Sequence, residues 1–223
     1  MGSPLFKRER HHMAGQHKAN LAEAATVLPP SHRMTFEEFL QSDFINAEWV
    51  AGEVIELPNP SLRHQILLSF LTTLLNLFAE EGRLGLAVAA PFKMKPGESS
   101  PGRQPDVLYV ATDRQGLFEK QYLAGAADIA VEIISPQSRT RDSVEKFEEY
   151  QRGGVREYWL IDPLREEASF YRLDGNGHYQ PIPVGKDGIF RSSALSGFWM
   201  RVAWLWQDPL PTVLSVLREW RLV

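Results

Sequence analysis

Three ionisable residues stand where the surrounding pattern predicts burial: Asp106, Glu132 and Lys146. Asp106 opens the apolar run Val107-Leu108-Tyr109-Val110, directly after Pro105. Glu132 interrupts the otherwise apolar Ile129-Ala130-Val131-Glu132-Ile133-Ile134. In a strand, side chains alternate between faces, so Ala130, Glu132 and Ile134 share one face and Val131 and Ile133 the other. A carboxylate in that position has to be paired, protonated or bound to a metal, because an isolated desolvated charge is costly. An ion pair with an arginine is its plainest reading. Asp142, Lys146 and Tyr150 are spaced by four, which stacks them along one line of a helix beside the apolar stripe of Val144, Phe147 and Tyr150. Lys146 then points along the edge of the buried side. A surface pair with Asp142, worth about 0.3–0.5 kcal/mol, is the simplest account of it taken alone. Together the three residues form a chemical set. Two carboxylates suit a hard divalent cation such as Mg²⁺, the cation lowers the pKa of a bound water, and an ammonium beside it orients that water and neutralises developing charge. Such a set suits phosphodiester hydrolysis.

The elements that must carry these residues follow from pattern and punctuation. Thr35 with Glu38 forms a capping box that opens a short helix. Glu48-Trp49-Val50, a turn at Ala51-Gly52 and Glu53-Val54-Ile55-Glu56-Leu57 predict a β-hairpin. Ser61 to Glu81 is the longest helical stretch, apolar at Leu62, Ile66, Phe70, Leu74 and Phe78 with Leu67, Leu71 and Leu75 beside them, and Gly82 is its expected stop. The runs at 86–89, 106–110 and 129–134 predict central strands buried on both faces. A helix over about 143–152, with Asp142 and Glu145 as its capping box, leads to a strand at 157–161. That order is a βαβ unit with parallel pairing. Asp174-Gly175-Asn176-Gly177 marks a hairpin between 169–173 and 178–182, and Pro211–Trp220 reads as a short helix.

Composition excludes several classes. The 223 residues contain no cysteine, which removes disulfide scaffolds, cysteine-ligated zinc and thiol nucleophiles together, and fits a reducing, cytoplasmic location. The greasiest stretch, Ile66 to Ala79, is broken by Ser69, Thr72, Thr73 and Asn76 and falls short of the about 20 apolar residues of a membrane span, so a soluble chain without a membrane partner is expected. Of the formal charge of −4, residues 1–33 contribute +3 (Lys7, Arg8, Arg10, Lys18 and Arg33 against Glu9 and Glu23), which leaves −7 on the rest. The body is therefore not a general nucleic-acid coat, and polyanion chemistry must come from a local site. Residues 1–33 lack apolar periodicity and predict a flexible N-terminal tail. Residues 34–208 make one domain, and 209–223 a C-terminal helix packed on the core or on a dimer partner.

Pro105-Asp106, then Val131-Glu132-Ile133-Ile134-Ser135-Pro136, then Asp142, Lys146, Tyr150 and Gly154-Val155-Arg156-Glu157-Tyr158-Trp159-Leu160-Ile161-Asp162-Pro163 resemble a family of restriction endonuclease-like proteins in the PD-(D/E)XK nuclease superfamily. The resemblance runs over roughly Met34 to Trp206. It implies an α/β fold (an α+β mixed sheet), with a restriction endonuclease-like core and the β-hairpin appended at its N-terminal side. It implies Mg²⁺-dependent cleavage of DNA, with Mn²⁺ able to substitute and no organic cofactor. Asp106 and Glu132 would be the metal ligands. The superfamily's lysine follows the second carboxylate by two residues, and Ile134 occupies that place, so Lys146 would replace it from the neighbouring helix. An upstream glutamate often completes such sites: Glu48 is the first choice and Glu53 the second. A homodimer is implied, since two copies cut two strands most simply. The rival is a catalytically inactive DNA-binding or interaction module on the same fold, which the acidic body and the missing in-strand lysine favour. His64 reads as a cap or packing residue that could face the site, Arg139 and Arg141 as loop residues able to touch phosphate, and Trp199, Trp204 and Trp206 as core or dimer surface.

Overall fold

In the computed structural model the described residues are 33–223, so the predicted tail lies, apart from Arg33, outside them. The chain begins with α1 (Phe36–Gln41), in which Thr35 and Glu38 make both halves of the capping box. The hairpin strands β1 (Ala47–Val50) and β2 (Glu53–Glu56) follow. Their two turn residues, Ala51 and Gly52, both have positive φ (51° and 90°), which matches the right-handed twist of the strands. Helix α2 (Leu62–Gly82) is capped by Ser61, whose hydroxyl accepts from the His64 N–H. Strands β3 (Gly85–Ala89), β4 (Lys93–Met94), β5 (Val107–Ala111), β6 (Tyr122–Leu123) and β7 (Ile129–Ile133) come next. Then α3 (Lys146–Gly153) leads into β8 (Glu157–Asp162), β9 (Glu167–Leu173) and β10 (Tyr179–Pro181). The short pair β11 (Ile189–Arg191) and β12 (Trp199–Arg201) and helix α4 (Val213–Glu219) complete it.

Six of these strands form one mixed sheet in the order β10-β9-β8-β7-β5-β3. Only β7 and β8, joined through α3, are parallel; the other pairs are antiparallel, so the fold is mixed α/β. Both faces of the sheet are covered. Alternate residues Val107, Tyr109, Ile129, Val131, Ile133, Trp159 and Ile161 pack with α2, β11, β12 and α4. Leu108, Val110, Ala130, Tyr158 and Leu160 pack on the other face with Tyr150 of α3. Two-sided burial is the reason these strands read as apolar runs rather than alternating ones.

The antiparallel register pairs Val107 with Val131. Asp106, one residue before β5, is therefore level with Glu132, inside β7 (by the antiparallel alternation). The hairpin reaches the same place through a bridge between Trp49 and Gly102. Gly102 is needed there, since a Cβ would collide with the Phe36 ring.

Several local details differ from expectation. The buried face of α2 is Leu67, Phe70, Leu71, Leu74, Leu75 and Ala79, whereas Leu62 and Ile66 are exposed, in turns whose Arg63, His64 and Gln65 line an open cleft and not the core. Gly82 is the last helical residue, and Arg83 takes the left-handed cap (φ 52°). At Gly82 the constraint is packing: a Cβ would stand 2.7 Å from Leu84 Cγ. The helix before β8 starts at Arg139 and passes through a wide π turn at Arg141–Glu145 before α3. Asp142 is inside it and is not its cap; the Asp142 N–H donates to the Ser138 carbonyl at 2.8 Å. Although α2 has the length and apolarity of a membrane span, it packs against β3, β5, β7 and α4. Helix α4 inserts Val216 and Leu217, with Trp220 after it, into the core, and Trp204 is buried in the same cluster with Trp199 and Trp206 packed against it.

Candidate active site

The end of β7, the segment before β5, the first turn of α2 and the π turn enclose a cleft of about 700 Å³, lined among others by His64, Asp106, Glu132, Arg141, Asp142 and Lys146. Asp106 is anchored by the Ile133 N–H, which donates to its Oδ2 at 2.6 Å, and by His64, whose Nε2 lies 3.2 Å away. Helix α2 thus delivers His64 to a carboxylate, and the cap expected of it is supplied by Ser61. Glu132 is buried, and its Oε1 accepts from Lys146 Nζ at 2.8 Å and from the Tyr150 hydroxyl at 3.0 Å. Among the described residues no hydrogen bond reaches its Oε2.

Lys146 is 1% exposed, not the rim lysine that helical spacing alone suggests. The π turn swings it fully under the sheet end, where Nζ sits 2.9 Å from Glu48 Oε1, 2.8 Å from Glu132 Oε1 and 3.5 Å from Asp142 Oδ1. Glu48, on β1, has no exposed surface. Its Oε1 also accepts from the Gln104 N–H, and its Oε2 accepts from Arg103 Nη1 at 2.8 Å. The hairpin therefore contributes an internal carboxylate. Glu53 is elsewhere, facing Arg33 at the surface.

Arg103, which the sequence reading passed over, is 1% exposed and binds Glu149 of α3 through two nitrogens, at 2.7 and 2.8 Å. Asp142, which spacing marks as a cap, lines the cleft as a third acidic residue beside Asp106 and Glu132. Tyr150 was read as part of the apolar stripe, yet its hydroxyl binds Glu132. Arg141 reaches the cleft, with Nε 3.6 Å from Asp142 and 3.9 Å from Glu48. Arg139 turns away to pair with Asp162 at the end of β8, against a separate smaller cavity. A proline before Asp106 hints at the loop that carries Arg103, but no periodicity marks a loop arginine as buried.

The electrostatics follow from three buried carboxylates gathered on one ammonium. Burial raises the Glu48 carboxyl, but Lys146, Arg103 and Arg141 outweigh it and bring it down to about 2. Burial, together with Asp142, Asp106 and Glu48, lifts Glu132 well above the ordinary carboxylate range against the pull of Lys146. Asp142 is likewise raised, by burial first. Burial works against the Lys146 ammonium, but Glu132, Glu48 and Asp142 hold its proton more firmly than in a free lysine. Burial thus leaves Glu132 and Asp142 poorly stabilised as anions, so a further cation beside them would favour their charged forms.

Among the described residues, no three His, Asp or Glu groups are gathered in a ready-made metal cage. Mg²⁺ does not require one: it keeps several waters and takes one or two carboxylates. Asp106 and Glu132, level across two strands and both lining the cleft, provide that number, and the free Oε2 of Glu132 and the unpartnered buried Oδ1 of Asp142 are hard oxygen donors.

Residues 36–203 match the model of the Uma2 family, described as "Putative restriction endonuclease". A crystal structure of a "putative nuclease belonging to DUF820" from Anabaena variabilis shares the fold, with a TM-score of 0.63 at 21% identity over 78% of this chain and 97% of that one. A search of curated proteins gives no match. With three quarters of its length covered by the family model, the sheet, its α3 crossover and the Asp106–Glu132–Lys146 cleft all fall within the matched region, and the chain belongs to the Uma2 family.

Proposed function

We propose that the protein is a metal-dependent endodeoxyribonuclease that hydrolyses phosphodiester bonds in DNA, working as a homodimer in the cytoplasm. The observation that carries the reading is the Lys146 ammonium held 2.8 Å from Glu132 at the mouth of β7, beside Asp106, within one cleft. The family description and the nuclease-like fold support the same reaction class.

Asp106 and Glu132 would hold the Mg²⁺, or Mn²⁺ in its place; when bound, the cation would supply Lewis-acid activation of water and charge neutralisation at phosphorus. The chain's own groups do the rest. Glu48 and Glu132 fix the ammonium in direction and protonation, so that Lys146 presents a permanent positive charge to the developing phosphorane. His64 and the Ile133 N–H fix the rotamer of Asp106. Arg103 holds Glu48 from the side away from Lys146, with no part in the reacting atoms.

The test is nicking of supercoiled plasmid in Mg²⁺ and in Mn²⁺ by the wild type, Lys146→Ala and Glu132→Gln. Metal-dependent nicking by the wild type, lost in both folded variants, supports the reading; activity that survives in both refutes the site. A second reading, a DNA-binding module without catalysis, is favoured by one observation: Lys146 already neutralises Glu132 and His64 already engages Asp106. DNA binding without metal and without nicking would support it.

A further inference from the structure

The size, charge and lining of the cleft restrict the form of DNA it can take. Glu132 is 3% exposed and Lys146 1%, so a phosphodiester reaches them only by descending into the cavity. Its volume of about 700 Å³ is that of a site for a small molecule and leaves room for a short piece of one strand. A duplex carries its second backbone only about 6 to 12 Å from the first, across one groove or the other, and that backbone would meet the rim.

The charges point the same way. Proteins that grip duplex DNA by its backbone neutralise about 6–10 phosphates with lysine and arginine. Four basic residues line the cleft, and each already has a partner. Lys146 is held by Glu132 and Glu48, and Arg141 lies between Asp142 and Glu48. His64 faces Asp106, and Arg63 donates to the Leu205 carbonyl at 2.7 Å. On a body of −7, little is left to hold a phosphate backbone.

The rim offers other chemistry. Asn59, Gln65 and Gln137 line the cleft as exposed amides. Pro58, Pro136 and Leu164 line it as exposed apolar groups, Leu164 at 69%. Amides bond the edges of bases, and apolar side chains cover the faces of bases taken out of the stack. Pairing and stacking hide most of those edges and faces in a duplex, whereas an unpaired strand presents them.

We propose that the substrate is an unpaired DNA strand (a single strand, a bubble or a flap), seated by its bases on this rim while its phosphodiester descends to Lys146. The proposal rests on the nuclease reading and narrows its substrate.

The first test is binding to the metal-free wild type, followed by the fluorescence anisotropy of a labelled oligonucleotide as single strand, as duplex and as a strand of abasic sites. The single strand should bind about tenfold or more tighter than either of the others. Its affinity should fall with salt at a slope no steeper than about −2, which corresponds to about three phosphates. Asn59→Ala, Gln65→Ala and Gln137→Ala combined, in a variant that keeps the wild-type urea midpoint, should remove most of that preference. In cleavage, negatively supercoiled plasmid, in which unpairing is favoured, should be nicked and its relaxed form spared. A duplex or an abasic strand bound as tightly as the single strand overturns the proposal. So does an unchanged preference in the triple variant, or a relaxed plasmid nicked as fast as the supercoiled one; the nuclease reading survives each of these. Base-dependent binding of the single strand with no cleavage of any DNA in Mg²⁺ or Mn²⁺ overturns the nuclease reading instead, and leaves the rim as a binding surface for unpaired DNA.

Discussion

Glu48 and Glu132 share the Lys146 ammonium, but their contributions to stability respond to pH with opposite sign. The Glu48 carboxyl falls from 4.5 to about 2 on folding. A depressed carboxylate contributes stability that is present above its unfolded value and is lost as pH falls through the folded one. The window is therefore about pH 4.5 down to 2, and the contribution at neutral pH is on the order of 3 kcal/mol. Urea midpoints measured from pH 5 to 2 should fall steeply for the wild type and less so for Glu48→Gln. Glu132 has the opposite sign: its raised value means the folded state holds a proton more tightly, so its contribution weakens as pH rises above the ordinary carboxylate range. Glu132→Gln, which removes that charge and keeps the shape, should equal or exceed the wild type in urea midpoint at pH 8 while losing nicking. Lys146→Ala should cost about 3–5 kcal/mol, since it strands two buried carboxylates, and for that reason Glu132→Gln is the cleaner probe of catalysis.

At the scale of elements, Arg103 is the tie. Its guanidinium binds Glu48 on β1 and Glu149 on α3, so a loop residue joins the hairpin to the helix that carries Lys146. A fork of this kind depends on a planar cation with several fixed donors. Arg103→Lys should therefore be nearly as damaging as Arg103→Ala, with both losing about 3–5 kcal/mol in chemical denaturation. The hairpin contact nearby makes a second case: Gly102→Ala should cost about 1–3 kcal/mol by pushing the Phe36 ring off the bridge between Trp49 and Gly102. Most elements are legible in the sequence. The Thr35 capping box, the strand–helix–strand unit and the parallel pairing of β7 with β8 follow from local rules of hydrogen bonding and chain handedness. The π turn is not, because Arg139–Glu145 has ordinary helical composition and only its docking on the sheet end opens the extra residue.

For the whole molecule, the question is how a −7 body presents a polyanion site. On the proposed reading, Asp106 and Glu132 hold a divalent cation only where folding brings them level, so added Mn²⁺ should raise the thermal midpoint. At a concentration one hundred times its dissociation constant, the gain is about 2.7 kcal/mol. The shift should vanish with a chelator and in Glu132→Gln; an equal shift in that variant would place the cation elsewhere. The core that holds the cleft open is aromatic. Trp159 lies between Phe170, Phe190 and Phe198, at centroid separations of 5.9, 4.9 and 5.8 Å. Trp159→Ala should destabilise by about 3–5 kcal/mol, read as a lowered urea midpoint, and should impair the site only through loss of the fold.

The sequence by itself determined the mixed sheet, its βαβ unit and the anomaly of Glu132, because period, punctuation and an acid in an apolar strand are local features. It also singled out Asp106 and Lys146 by residue type. Only the tertiary structure decided what surrounds them. Glu48 enters from the hairpin, Arg103 from a loop and His64 from α2, and their distances in sequence from Lys146 carry no periodic signal. Whether a hairpin carboxylate faces water or an ammonium depends on how its sheet docks, and that docking is set by the bridge at Gly102 and by Phe36 packing, which no local pattern encodes. Asp142 passed for a helix cap for the same reason: spacing defines a line on a helix, but burial of that line is decided by the partner it meets.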